Sequence, residues 1–223
     1  MVNRDNYFLI QKELEASKAK LVAVSKLKPI EDIQALYELG QRDFGENYVQ
    51  ELVLKQPDLP ADIHWHFIGH LQSNKVKYIA PFVHTIHGVD SYKLLQEVNK
   101  QAQKSNRNIN CLLQVHIAQE ETKFGLDEKE LLDLLTFYEH NKSAFANISI
   151  TGLMGMASFV DDESVVGREF EQLRNIFNVV KNDTFLANTR FNTLSMGMTD
   201  DYKIALKHGS TLVRIGRALF GSR

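Results

Sequence analysis

Cysteine is almost missing: Cys111 is the only one in 223 residues. A lone cysteine closes no internal disulfide, so a reducing, cytoplasmic setting is expected. Set in the apolar run CLLQVHI, it reads as a small core residue. An excess of either charge is also missing. Twenty-six basic residues face 28 acidic ones, for a net charge of -2. Nothing in that balance favours nucleic acid or an anionic membrane. The first twenty residues, MVNRDNYFLIQKELEASKAK, have no long apolar run, so neither a signal peptide nor a membrane span is expected there. No linker, low-complexity tract or internal repeat interrupts the chain, and a single domain over residues 1–223 is expected.

Two periods alternate along the sequence. Short apolar or β-branched runs stand at 21–25, 43–45, 64–69, 83–88, 111–117, 148–155, 193–197 and 212–216. Between them the spacing is helical, as in Ile30, Ile33 and Tyr37, or Phe170, Leu173 and Phe177. Pro29 stands at a helix start and Gly40 just past its end; Thr199, Asp200 and Asp201 open a later unit that Gly209 closes. A strand followed by a helix, eight times, predicts an α/β fold, a (β/α)8 barrel. A helix around 7–14 precedes the first strand and is extra. The rival, an open doubly wound sheet, lacks a G-x-G-x-x-G turn after its first strand.

Barrel chemistry sits at the C-terminal ends of the strands. The first strand there ends on a lysine, in LVAVSKLKP: Lys26 is a reactive amine at the rim or a solvated strand end. Lys28, two residues on, is expected to lie outside the barrel in solvent. The seventh strand runs into SMGMTD and the eighth into RIGRALFG. Glycine turns and helix starts in those two loops suit a phosphate. An amine and a phosphate seat across one mouth suggest pyridoxal phosphate (PLP). The histidines His64, His66 and His70 lack a cysteine or acidic companion in sequence, so no metal is expected. His84 and His87 read as structural.

The stretches VSKLKP, FGENYVQE, WHFIGHLQSNK, ETKFGL, GLMGM, SMGMTDD and VRIGRALFG run in order from Val24 to Gly221. Together they resemble the YggS/PROSC family of PLP-homeostasis proteins, whose barrel is similar to the N-terminal domain of alanine racemase. The resemblance implies a fold-type III PLP barrel without a C-terminal β domain. It implies that Lys26 holds PLP as a Schiff base, that Ser195 touches the phosphate by its hydroxyl, and that Gly216 and Arg217 meet it through backbone N–H groups. Arg214 would face the pyridine nitrogen and Asn47 would lie near the ring. Met154, Met196, His70 and Asn74 would complete the wall. An arginine at the ring nitrogen keeps its own proton, which weakens the ring as an electron sink. The implied function is a non-catalytic, monomeric carrier that passes PLP to apo-enzymes. The alternative is a racemase, for which Tyr48 and Tyr202 are the only stand-ins for a second base. Two residues depart from the family pattern. Arg217 replaces a common Thr or Ser, and its guanidinium could pair with the phosphate instead. Leu27 replaces a common Thr; strand alternation would point it away from Lys26 into the helix layer.

Overall fold

In a computed structural model, residues 2–120, 124–185 and 188–221 are described. The chain opens with α1 (Arg4–Ser17), then β1 (Lys20–Val24), α2 (Ile30–Glu38), β2 (Asp43–Glu46), α3 (Val49–Lys55), β3 (His64–Phe67) and the single turn α4 (Val76–Ile79). It continues through β4 (Thr85–Val89), α5 (Tyr92–Lys104), β5 (Ile109–Gln114), α6 (Glu128–His140), β6 (Ile148–Met154) and α7 (Glu163–Asp183). It ends with β7 (Thr193–Ser195), α8 (Tyr202–Lys207), β8 (Leu212–Ile215) and α9 (Arg217–Phe220). The eight strands pair in parallel and in sequence order, and β8 returns to β1, so the sheet closes as a (β/α)8 barrel.

The strands are apolar on both faces because one face fills the barrel and the other meets the helices. All five residues of β4 are buried, for example. The helices are single-faced. In α1 only Tyr7, Ile10 and Leu14 are buried, at the i, i+3, i+7 spacing of one stripe. That helix is tied to the chain's far end: the Asn3 N–H donates to Leu219 O at 2.8 Å, and Asn6 Nδ2 donates to Ala218 O at 3.1 Å. Asn3 also caps α1, Ser91 caps α5, and Asp127 with Glu130 forms a capping box on α6. No described helix is long and apolar enough to cross a membrane.

Every expected strand is present; six of the eight end a residue or more early, while β2 and β4 each run one residue further. The trimming matters at β1. It ends at Val24, so strand alternation does not reach Leu27. That residue stands in a turn at φ 58° and is 54% exposed, rather than turned into the helix layer. The same turn folds Lys28 back. Its Nζ donates to Phe220 O at 3.0 Å and Gly221 O at 3.3 Å, so Lys28 is held over the barrel end instead of standing free in solvent.

Candidate functional site

The C-terminal end of the barrel holds a cavity of about 530 Å³. Lys26, Asn47, Arg214, Gly216 and Arg217 all line it, with Lys28, Thr199 and Asp200. Four cations and one carboxylate therefore face one space, and an anionic ligand suits it. The wall is completed by Val24, Ile68, Met156 and Met198.

Lys26 owes its place to a buried charge cluster beneath its loop. Lys55 Nζ donates to Ser25 O at 2.9 Å, Glu46 Oε1 at 2.9 Å and Glu51 Oε1 at 2.6 Å. Ser25 Oγ donates to Glu46 Oε1 at 2.6 Å, and the Leu27 N–H donates to Glu51 Oε1 at 2.6 Å. Both residues flanking Lys26 are thus pinned, one through its carbonyl and one through its amide. Burial pushes the Glu46 carboxyl above its ordinary value, against the pull of Lys55. The carboxylates of GENYVQE look like solvated charges in sequence; their common partner, Lys55, lies outside that motif and only the fold reveals it.

Arg214, on the β8 strand that pairs with β1, lines the same cavity and is 4% exposed. Its Nη1 donates to Ser195 O at 2.9 Å and Ser195 Oγ at 2.5 Å, and its Nη2 donates to Gly155 O at 3.2 Å. Burial lowers its pKa to about 10, with Asp201 opposing, so the guanidinium is charged at neutral pH. Asn47 presents a buried Oδ1 that takes no hydrogen bond from the described residues. Gly216 lies where an added Cβ would meet Val24 O at 3.1 Å, so the chain passes close beneath the mouth. Arg217, on the rim, pairs with Asp200, Nη2 to Oδ1 at 2.6 Å.

Five residues expected at the site are not among those that line this cavity. Ser195 is fully buried, and its hydroxyl is engaged by His87 and Arg214 rather than offered to the cavity. Met154 and Met196 are core residues, 1% and 0% exposed. The physical reason is where each strand stops and how the loop beyond it turns. Strand-end side chains that point down the axis fill the barrel, and the loop beyond, bent at Gly197 (φ 96°), lifts Met198 and Thr199 onto the rim. Thr199 is the hydroxyl that sequence reading missed, although its place before Asp200 and Asp201 was a signal. His70 does not line the cavity: it faces Asp90, Nδ1 to Oδ2 at 3.3 Å, and stacks on Phe124. Asn74 sits in a short turn over Ser73–Lys75, also off the cavity. Neither tyrosine considered as a second base lines it. Tyr202 donates to Glu13 Oε2 at 2.7 Å, on the α1 side, and Tyr48 is half exposed on the rim of β2.

His66 is engaged by Asp43 and His87, and among the described residues no group of three His, Cys, Asp or Glu could hold a metal ion. Of the ETKFGL stretch, residues 121–123 lie outside the described residues.

The family model described as alanine racemase, N-terminal domain, matches residues 3–223. A pyridoxal phosphate homeostasis protein of Pasteurella multocida is 40% identical over 93% of this chain and 88% of its own length. One of Haemophilus influenzae is 37% identical over 98% and 94%. PipY of Synechococcus elongatus, solved with PLP bound, is 33% identical and superposes with a TM-score of 0.86 over 97% of this chain and 99% of its own. An alanine racemase of Bartonella henselae, 19% identical with a TM-score of 0.70, shares the fold over 57% of its length. This chain belongs to the alanine racemase N-terminal-domain family, among its members named pyridoxal phosphate homeostasis proteins.

Proposed function

We propose that the chain, residues 1–223 acting as one barrel, binds PLP at the C-terminal mouth and serves intracellular PLP homeostasis. The observation that carries this is the shared cavity of Lys26, Asn47, Arg214, Gly216 and Arg217. The names of the relatives and the PLP-bound PipY structure support it.

The residues fit the group. Lys26 supplies an amine for its aldehyde, and their condensation releases water. Gly216 and Arg217 open α9, where helix N–H groups lack intrahelical partners and suit a phosphate. Thr199 adds a hydroxyl from the neighbouring loop, and Arg217 adds a charge. Arg214, clamped by three acceptors, would face the ring nitrogen. Asn47, whose buried Oδ1 has no partner among the described residues, would lie near the ring. When bound, PLP supplies an electrophilic aldehyde and a ring able to delocalise charge. Arg214, charged and donor-only, leaves the ring nitrogen unprotonated, which favours holding the cofactor over carbanion chemistry. Tyr202, turned to Glu13, gives the racemase reading no second base. The chain is a monomeric carrier that releases PLP to apo-enzymes.

The test is borohydride reduction of the yellow protein, followed by peptide mapping. A pyridoxyl adduct on Lys26, absent from Lys26→Ala, is expected; an adduct on Lys28, or none, would overturn the assignment. The carrier step is read by adding loaded protein to an apo-transaminase. Activation faster than spontaneous PLP release from the carrier is expected, and activation at the release rate would sink direct transfer.

A further inference from the structure

A chain of hydrogen bonds runs through the barrel interior from its N-terminal face to the cavity. Asp43 is the first residue of β2, and its Oδ1 lies 2.9 Å from His66 Nε2. His66 Nδ1 lies 2.9 Å from His87 Nε2, and His87 Nδ1 lies 3.2 Å from Ser195 Oγ. Ser195 ends β7, and its hydroxyl takes the 2.5 Å bond from Arg214. His66, His87, Ser195 and Arg214 are each no more than 4% exposed.

The two ends fix the direction of every link. Arginine can only donate and an ionised carboxylate can only accept. Arg214 therefore gives a proton to Ser195 Oγ, whose own proton goes to the bare Nδ1 of His87. His87 then carries its proton on Nε2 and gives it to the bare Nδ1 of His66. His66 carries its proton on Nε2 and gives it to Asp43. Any reversal leaves a buried N–H facing N–H, or strands the Ser195 proton. Burial, reinforced by His66 and Arg214, holds His87 neutral. Burial opposes the charge on Asp43, yet the His66 bond and the nearby His64 and Lys20 outweigh it and keep the carboxyl below its ordinary value. A cation and an anion thus end a chain linked through Ser195, His87 and His66.

We propose that Asp43, His66, His87 and Ser195 form a positioning relay that holds the Arg214 guanidinium in one orientation toward the cavity, so that a carboxylate at the opposite face of the barrel sets the cofactor's ring environment. Its effect on the cofactor rests on the function proposed above; its effect on Arg214 does not. The relay accounts for residues that the site itself leaves unused: two buried histidines and a buried serine. Polarised links in a low-dielectric interior strengthen one another, so loss at the Asp43 end is felt at Arg214.

The first measurement needs no cofactor. Long-range H–N correlation spectra of nitrogen-15-labelled protein at neutral pH report histidine tautomers. His66 and His87 are both expected with the proton on Nε2 alone; Nδ1–H, or an imidazolium, at either would overturn the relay. The second compares Asp43→Asn, which keeps an acceptor oxygen, with Asp43→Leu, which does not. Exchange of the Arg214 side-chain N–H groups is expected to quicken about tenfold in Asp43→Leu, the worth of one lost hydrogen bond, and to stay near wild type in Asp43→Asn. Equal exchange in all three overturns the proposal. Should Asp43→Leu fail to fold, the wild-type tautomers still decide the matter. With PLP added, the visible absorption maximum should shift in Asp43→Leu and not in Asp43→Asn; an unmoved spectrum would confine the relay to a purely structural role. If the wild type takes up no PLP, the proposed function fails while the first two readouts still judge the relay.

Discussion

Arg217 and Asp200 show how a single residue can set affinity. Arg217 stands on the rim, and its guanidinium already has a carboxylate partner there. The pair is well exposed, 59% and 63%, so its own strength is low, at most about 1 kcal/mol. A ligand phosphate can therefore compete for Arg217. Asp200→Asn, which frees the guanidinium, is expected to tighten PLP binding about threefold to fivefold and to leave unphosphorylated pyridoxal unchanged. Fluorescence titration with both compounds reads the difference; equal gains for both would remove Arg217 from the phosphate seat. The lone Cys111 behaves as its apolar run suggests: it is fully buried, and burial pushes its thiol up to about 12.

At the scale of an element, the β1–α2 loop is held by charges from β2 and α3. Lys55 bridges Glu46 and Glu51 while gripping Ser25 O. Breaking a buried pair costs more than the pair contributes, because the abandoned charge keeps its desolvation penalty. Lys55→Met strands two carboxylates and is expected to cost about 3–5 kcal/mol in urea unfolding. The triple variant Lys55→Met, Glu46→Gln, Glu51→Gln should recover most of that stability, since no buried charge remains. PLP uptake should recover less, because Ser25 O has lost its clamp. Full recovery of both would mean that Lys26 is placed by the strand alone. Leu27, at φ 58°, is kept in a conformation that leucine disfavours by its N–H bond to Glu51.

For the whole molecule, acid is the sharper threat. Burial, with His66 and His64 adding, holds His84 down to about 4, and complete burial holds His87 well below its ordinary value. In the unfolded chain both titrate near 6.5. Their folded pKa values are depressed, so below pH 6.5 the unfolded chain binds protons that the folded chain refuses. Stability from these groups is present above pH 6.5 and falls as pH drops toward 4. Urea midpoints across that range measure it, and His84→Gln should flatten part of the slope. A midpoint constant from pH 6.5 to 4 would count against buried neutral histidines.

The sequence alone determined the barrel, the order of its strands and the placing of Lys26, Asn47, Arg214, Gly216 and Arg217 around one mouth. The barrel and the position of Lys26 come from period, from glycine and cap residues, and from the rule that parallel strands present their C-terminal ends together; Asn47, Arg214, Gly216 and Arg217 came from the family resemblance of their motifs. Only the tertiary structure decided which strand-end side chains reach the cavity. Ser195, Met154 and Met196 fell inside while Thr199, Met156 and Met198 lined the wall, because β6 and β7 stop at Met154 and Ser195 and the course of the loops beyond them, not alternation, decides where the next side chains go. The cluster of Lys55 with Glu46 and Glu51, and the line from Asp43 to Arg214, join residues from separate strands and helices. Their energies depend on distance and burial, which no linear spacing encodes.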